Sequence, residues 1–242
     1  LYYVRDALDN FVNGKFESHI YVVKMNDDWL STAPKEEAVF LLRPDHDWET
    51  VSHSQWRWNE GPWVQKHNGR YYLFYSANKY SDRAYAIGYA VGNTPFGPFV
   101  KSPDNPLIYS SNDDEFSGPG NNSIFMSKDG KELFTAYHLH TIPTSPSGNR
   151  YLNIDRIGFR EDGTVYFNGP TNTKQPLPSG EKPGHTLISK EAKLSVSSTM
   201  SGYNPKGVND GEFVSRQKYD RYSWVAEGIE DEWAKLEWEK SK

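Results

Sequence analysis

The 242-residue sequence contains no cysteine, which removes disulfides, thiolate catalysis and Cys-ligated zinc from consideration. It also lacks any apolar run of the roughly 18 residues a membrane helix needs, and any leading segment of basic then apolar residues. The net charge is −5 and the 27 Lys and Arg are scattered, so there is no basic stripe to track a phosphate backbone. Neither a membrane nor a nucleic acid is expected as a partner. Apolar residues at helical spacing are nearly absent too, which excludes a helical bundle.

What the chain does have is aromatic residues: 8 Trp, 16 Tyr and 12 Phe, or 15% of the sequence. They sit in short β-branched and aromatic runs broken by Gly, Pro, Asn and Asp, the pattern of an all-β protein. Three runs resemble one another: Leu1-Tyr2-Tyr3-Val4, Tyr71 to Ser76, and Glu132 to Tyr137. The second and third follow tight polar turns, His67-Asn68-Gly69-Arg70 and Lys128-Asp129-Gly130-Lys131, and each turn follows another short strand. Further strands are expected at Ile20 to Val23, Tyr85 to Val91 and Tyr151 to Phe159. Successive copies lie 72 and 62 residues apart, counted from Tyr3 to Tyr75 to Tyr137, a spacing that suits a four-stranded propeller blade with its loops. Leu1 falls where the second strand of such a blade is already under way. The expectation is that an inner strand and earlier blades lie upstream, and that the 242 residues alone form neither a stable monomer nor an active enzyme.

Blade-like sequence ends near Gly169-Pro170, giving a first domain at 1–170. The segment 171–188, rich in Pro and Gly without periodicity, reads as a linker or a strap over the surface. A new unit is expected at 189–242, with strands at Leu194 to Ser198 and Trp233 to Trp238 and a turn at Asn209-Asp210-Gly211, stopping before a closed sandwich could form.

Five motifs then occur in order: Trp58-Asn59-Glu60-Gly61-Pro62-Trp63-Val64 before its aromatic strand, "PFGPF" at 95–99, "GPGNNS" at 118–123, "TAYH" at 135–138, and "NRYLNIDRIGFREDGTVYFNGP" at 149–170. Together they resemble blades four and five of the glycoside hydrolases of family 43, which are five-bladed β-propellers; the resemblance covers about residues 1–180. From Ser189 the segments "SVSSTMSGYNPKGVNDG" and "EWAKLEWE" resemble the opening of a discoidin-like β-sandwich, a fold shared by many carbohydrate-binding modules of family 32.

The first resemblance implies an inverting glycosidase acting on arabinose-, xylose- or galactose-containing plant cell-wall polysaccharide, extracellular or periplasmic, that requires no cofactor. A noncatalytic glycan-binding propeller is the alternative. Inversion needs a protonated acid on one side of the sugar and an ionised base on the other. The "EGP" Glu60 matches the family's acid, whereas the base Asp and the Asp that adjusts the acid belong to blades one and three, upstream of Leu1. Asp6 and Asp9 read as solvated rim residues. On an alternating strand Trp58, Glu60 and Pro62 share one face, which sets the carboxyl beside indole where its neutral form is favoured.

Arg150 matches an Arg that reaches the sugar in relatives, and a surface-loop role is its competing reading. His138 could face the channel or serve a structural hydrogen bond. Asn121 stands where relatives commonly carry a His that can meet a metal; an amide can still face a sugar hydroxyl, but imidazole chemistry is lost, and no metal site is expected there. Trp56, Trp58, Trp63 and Tyr80 are candidate sugar platforms, with Trp58 favoured for the site and Trp63 for the core. Asp155 reads as a structural acceptor within its blade. Asp210 resembles a turn that supports a structural calcium in discoidin folds, a plain Asx-turn being the alternative.

Overall fold

A computed structural model describes residues 1–34, 37–181, 188–209 and 224–239. The chain divides into two compact units, Leu1–Glu181 and Lys182–Lys242.

The first unit is built from three antiparallel groups of strands. In the first, β1 (Tyr2–Arg5) and β4 (Val39–Leu42) flank β3 (Lys15–Val22), with Tyr3 opposite Tyr21 and Ile20 opposite Leu42, while the short β2 (Phe11–Val12) forms a hairpin with the start of β3. The second is a meander of β5 (Trp56–His67), β6 (Arg70–Ala77), β7 (Ala86–Gly92) and β8 (Phe99–Lys101). The third is a meander of β9 (Gly120–Met126), β10 (Leu133–His140), β11 (Arg150–Phe159) and β12 (Val165–Asn168). A short parallel pairing of Phe16–Ser18 with Trp56–Trp58 joins the first two groups into one sheet.

The turn joining β5 to β6 has both central residues at positive φ, Asn68 at 46° and Gly69 at 79°, the geometry that matches strand twist in a two-residue hairpin. The aromatic run of β6 is explained by burial on both faces. Leu73, Tyr75 and Ala77 pack with Ile20, Val22 and Leu42 of the first group. Tyr72 and Phe74 pack with Ile124 and Ile157 of the third. A strand covered on both sides reads as a continuous apolar run, not as an alternation.

The expected strands at 20–23, 71–76, 85–91, 132–137 and 151–159 all fall within or against observed ones. Two expectations require correction. Alternation along β5 breaks after Glu60, because the register with β6 shifts between Glu60 and Trp63 around Gly61, whose φ is +60°. Pro62 therefore does not continue the face of Trp58 and Glu60, and Trp63, expected in the core, is 37% exposed. Of the segment 171–188, expected to be a linker or a strap, residues 171–181 are compact with the first unit. Residues 171–181 form a strap tied to the third group: Thr171 donates through its backbone N to Asp155 (3.2 Å), and Ser179 donates to Glu132 (2.7 Å) and Asp129 (2.6 Å). As expected, Asp155 is a buried structural acceptor, which also receives the Tyr137 hydroxyl at 2.6 Å and Asn153 at 3.2 Å.

In the second unit β13 (Lys193–Val196) pairs antiparallel with β14 (Ala234–Glu237), at the positions the alternation marks. Trp224 donates to the Ser198 carbonyl at 2.9 Å, and Glu232 accepts from Ser198 and from the Gly228 amide, both at 2.8 Å. Asp210 lies outside the described residues.

Candidate active site

Glu60 and Ser76 are register partners on β5 and β6, and the bulge that begins after them frees the Glu60 side chain from strict alternation. A cavity of about 300 Å³ opens there, lined by Glu60, Gly61, Tyr80, Tyr85, Asn121 and Arg150 together with Gly148. It adjoins a second hollow of about 480 Å³ that shares Asn121 and Arg150 and adds His138 and Tyr151. Glu60, Asn121, His138 and Arg150, drawn from four strands of two meanders, are thus brought to one place. Trp58 is not among the lining residues; its ring lies 6.4 Å from that of Trp56 at 14°, with His53 edge-on at 6.1 Å. Phe16 stacks on the other ring at 4.6 Å, so this aromatic row spends much of its face area on itself.

Backbone geometry holds the constellation tightly. A Cβ on Gly61 would stand 2.1 Å from Asn121 Oδ1, and one on Gly120 would stand 1.9 Å from Tyr85 Cε1. Both glycines let side chains lie directly on backbone. Asn121 itself has φ of 57°, a conformation its short amide tolerates, and its N–H donates to Ser76 Oγ at 2.8 Å.

Tyr85 Oη donates to Glu60 Oε1 at 2.6 Å, and its buried ring stacks on His138 with centroids 5.6 Å apart and planes 7° from parallel. Arg150 donates through Nη1 to His138 Nε2 at 3.2 Å and through Nε to the Gly148 carbonyl at 3.2 Å. Its guanidinium lies 5.1 Å from the centre of the Tyr80 ring. Arg offers donors only, so His138 Nε2 is the acceptor and Nδ1 carries the ring proton. That Nδ1 is buried without a partner, and the ring seats Arg150 and backs Tyr85. Behind them, His140 Nε2 donates to the Tyr80 carbonyl at 2.9 Å while its Nδ1 meets Ser117 Oγ at 3.0 Å.

The electrostatics follow from burial. Desolvation raises the Glu60 carboxyl above the ordinary range, and the Tyr85 hydrogen bond and the Arg150 charge partly oppose it. Burial first, then the Glu60 charge, hold Tyr85 well above its ordinary value, so it remains a donor. Burial, Arg150 and His140 push His138 from 6.5 down to about 4. Because the folded value is the lower one, the neutral ring's contribution to stability is present above about 6.5 and is lost as pH falls through about 4. Thermal unfolding followed from about pH 7 to about pH 4 should show this acid sensitivity, and His138→Gln, whose amide oxygen can still accept from Arg150, should remove that component. An unchanged pH dependence in the variant would assign the loss to other groups.

Among the described residues no group of three or more His, Asp or Glu side chains is arranged to hold a metal ion. Glu60 is the only carboxylate among the described residues that line the cavity. The arrangement can therefore protonate a departing oxygen and hold hydroxyls. Sequence reasoning placed Glu60, Asn121, His138 and Arg150 here and named Tyr80 as a candidate platform. It missed Tyr85 and Ser76, which carry no motif: their role comes from strand register alone.

A half-buried carboxyl at a bulged strand shares this cavity with an Arg, and comparison with known proteins gives the family. The profile of glycosyl hydrolases family 43 matches residues 1–165; the chain belongs to that family. It is 27% identical over 227 residues to alpha-L-arabinofuranosidase 43 of Humicola insolens, covering 90% of this chain and 44% of that protein. An extracellular exo-alpha-(1->5)-L-arabinofuranosidase of Streptomyces avermitilis is 30% identical over 162 residues, covering 62% of this chain and 32% of that protein. Among solved structures, a thermostable family-43 glycoside hydrolase superposes with a TM-score of 0.69 at 47% identity, covering 74% of this chain and 56% of that one. The chain spans less than half the length of these two curated relatives.

Proposed function

We propose that this chain supplies the acid side of an inverting glycosidase for arabinose-, xylose- or galactose-containing plant polysaccharide. The observation that carries the reading is the half-buried Glu60 carboxyl, raised by desolvation and facing a cavity it shares with Arg150, the environment that keeps a general acid protonated. Glu60 protonates the departing glycosidic oxygen. Arg150 offers its remaining donors to sugar hydroxyls, His138 fixes Arg150, and Asn121 presents an amide at the cavity rim. Trp58, one strand step from Glu60, serves an outer part of the substrate path. The base and the Asp that orients the acid are not matched in this chain, so the reaction belongs to the full-length protein and needs no cofactor.

That two relatives are arabinofuranosidases supports that activity, and the extracellular one supports action outside the cell; among the described residues no helix is long and apolar enough to cross a membrane. The second unit resembles a discoidin-like β-sandwich, a module that would keep the enzyme on its polymer. Proton NMR of products released from arabinan and arabinoxylan by the full-length protein tests the reaction. Sugar that first appears with inverted anomeric configuration supports the reading; retained configuration, or glycan binding without release, overturns it.

A further inference from the structure

We infer that Tyr85 is a positioning residue for the general acid: its hydroxyl, donated to Glu60 Oε1 at 2.6 Å, fixes one carboxyl oxygen and leaves the transferable proton to the other, Oε2. The inference rests on the acid role of Glu60. No motif marks Tyr85, and the acid-and-base pair that inversion requires does not call for it.

Three observations independent of Glu60 hold Tyr85 in place. Its ring is 1% exposed and lies nearly parallel to the His138 imidazole. Its Cε1 occupies the space that Gly120 leaves open by having no Cβ. Its backbone N–H donates to the Asp82 carbonyl at 3.0 Å. The donor is therefore pinned from its ring and its main chain before it meets the acid. A carboxyl held this way cannot rotate to exchange its two oxygens without breaking a short hydrogen bond.

The consequence for chemistry comes from the change of charge on Glu60. In the ground state the acid is neutral and Tyr85 donates to its carbonyl oxygen. As the bond from the sugar to the leaving oxygen breaks, the Oε2 proton passes to that oxygen and the electron pair of the O–H bond stays on Glu60. The same Tyr85 hydroxyl then donates to a carboxylate, a stronger hydrogen bond than the neutral one. Tyr85 thus favours the ionised product of proton transfer over the neutral reactant, the differential stabilisation that accelerates a step. The charged and titratable groups that share this environment are Arg150, which acts in the same direction on Glu60, and His138, neutral behind the ring.

The test is Tyr85→Phe in the full-length protein, which keeps the ring and its stacking while removing one oxygen. A purely structural ring leaves the pH profile unchanged. A positioning hydroxyl predicts that the alkaline limb of kcat moves to higher pH, and that kcat on natural linkages falls roughly tenfold or more with KM little changed. Should the variant not fold, 3-fluorotyrosine at position 85, a stronger donor of the same shape, moves the alkaline limb to lower pH. An alkaline limb that stays put in the folded Phe protein, or in the fluorotyrosine protein, overturns the inference. Glu60→Gln run in parallel separates the two claims: if that variant keeps its turnover on natural glycan, the acid reading itself has failed; if it loses turnover while the Tyr85 variants leave the limb unmoved, only the positioning role has.

Discussion

Replacing Glu60 with Gln in the full-length protein should cut turnover on natural glycan by about 10² to 10⁴-fold, the usual contribution of a positioned general acid, while leaving the fold intact. Gln fills the same volume and its amide oxygen can still accept from Tyr85, so the contacts that set the bulge persist. The stability consequence has a definite sign. Burial holds the Glu60 carboxyl above its ordinary value, so its folded value exceeds its unfolded one. The stability it contributes is complete below the unfolded value and is lost as pH rises through the folded one. At neutral pH the Gln variant should therefore melt no lower than the parent, and its stability should fall less steeply on the alkaline side. A variant that loses activity and melting temperature together would place Glu60 in the structure, not the chemistry.

Arg150→Ala should produce the second large effect. With its Nη1 on His138 and its Nε on the Gly148 carbonyl, the guanidinium is fixed before substrate arrives, and its remaining donors are available at the cavity. Losing a charge-assisted bond to a sugar hydroxyl costs roughly 1.5 to 3 kcal/mol, or about ten- to a hundredfold in kcat/KM. Most of that should fall on KM, because the contact exists in the ground state as well as the transition state. Removing the positive charge also lets Glu60 rise further, so the alkaline limb of kcat should move to higher pH. Steady-state kinetics across pH measure both effects. A guanidinium that makes no substrate contact would move the alkaline limb through its charge but leave KM unchanged.

The parts of this protein that were legible in its sequence are those fixed by local chemistry. The Asn68-Gly69 turn, the aromatic run of β6 and the paired strands of the second unit each declare themselves through residue type and spacing. Glu60 was legible because a motif surrounds it. Gly61 sits inside that motif, yet its φ of +60° breaks the alternation a strand implies, and no pattern in a single sequence shows which glycine uses its conformational freedom. The exposure of Trp63 follows from the same break. Tyr85 lies 25 residues from Glu60 in a run, Ala84 to Ala90, that reads only as a buried strand; its contact depends on the register of β7 against β6 and of β6 against β5. Composition marks 171–188 as a linker or a strap without choosing between them, because the bonds of Thr171 and Ser179 that tie the strap down join residues distant in sequence.

The central claim is that Glu60 delivers the proton to the departing oxygen, and the most direct measurement is a leaving-group series. With the full-length protein and its Glu60→Gln variant, kcat/KM is determined for aryl glycosides whose phenols range from strongly to weakly acidic. A dinitrophenyl group departs without protonation, whereas an alkyl or sugar oxygen does not. The account predicts that the variant retains near-parental rates on the most acidic phenols and loses progressively more as the leaving group becomes basic, reaching the loss of about 10² to 10⁴-fold on natural linkages. A loss of equal size across the series, or no loss on natural glycan, would contradict it.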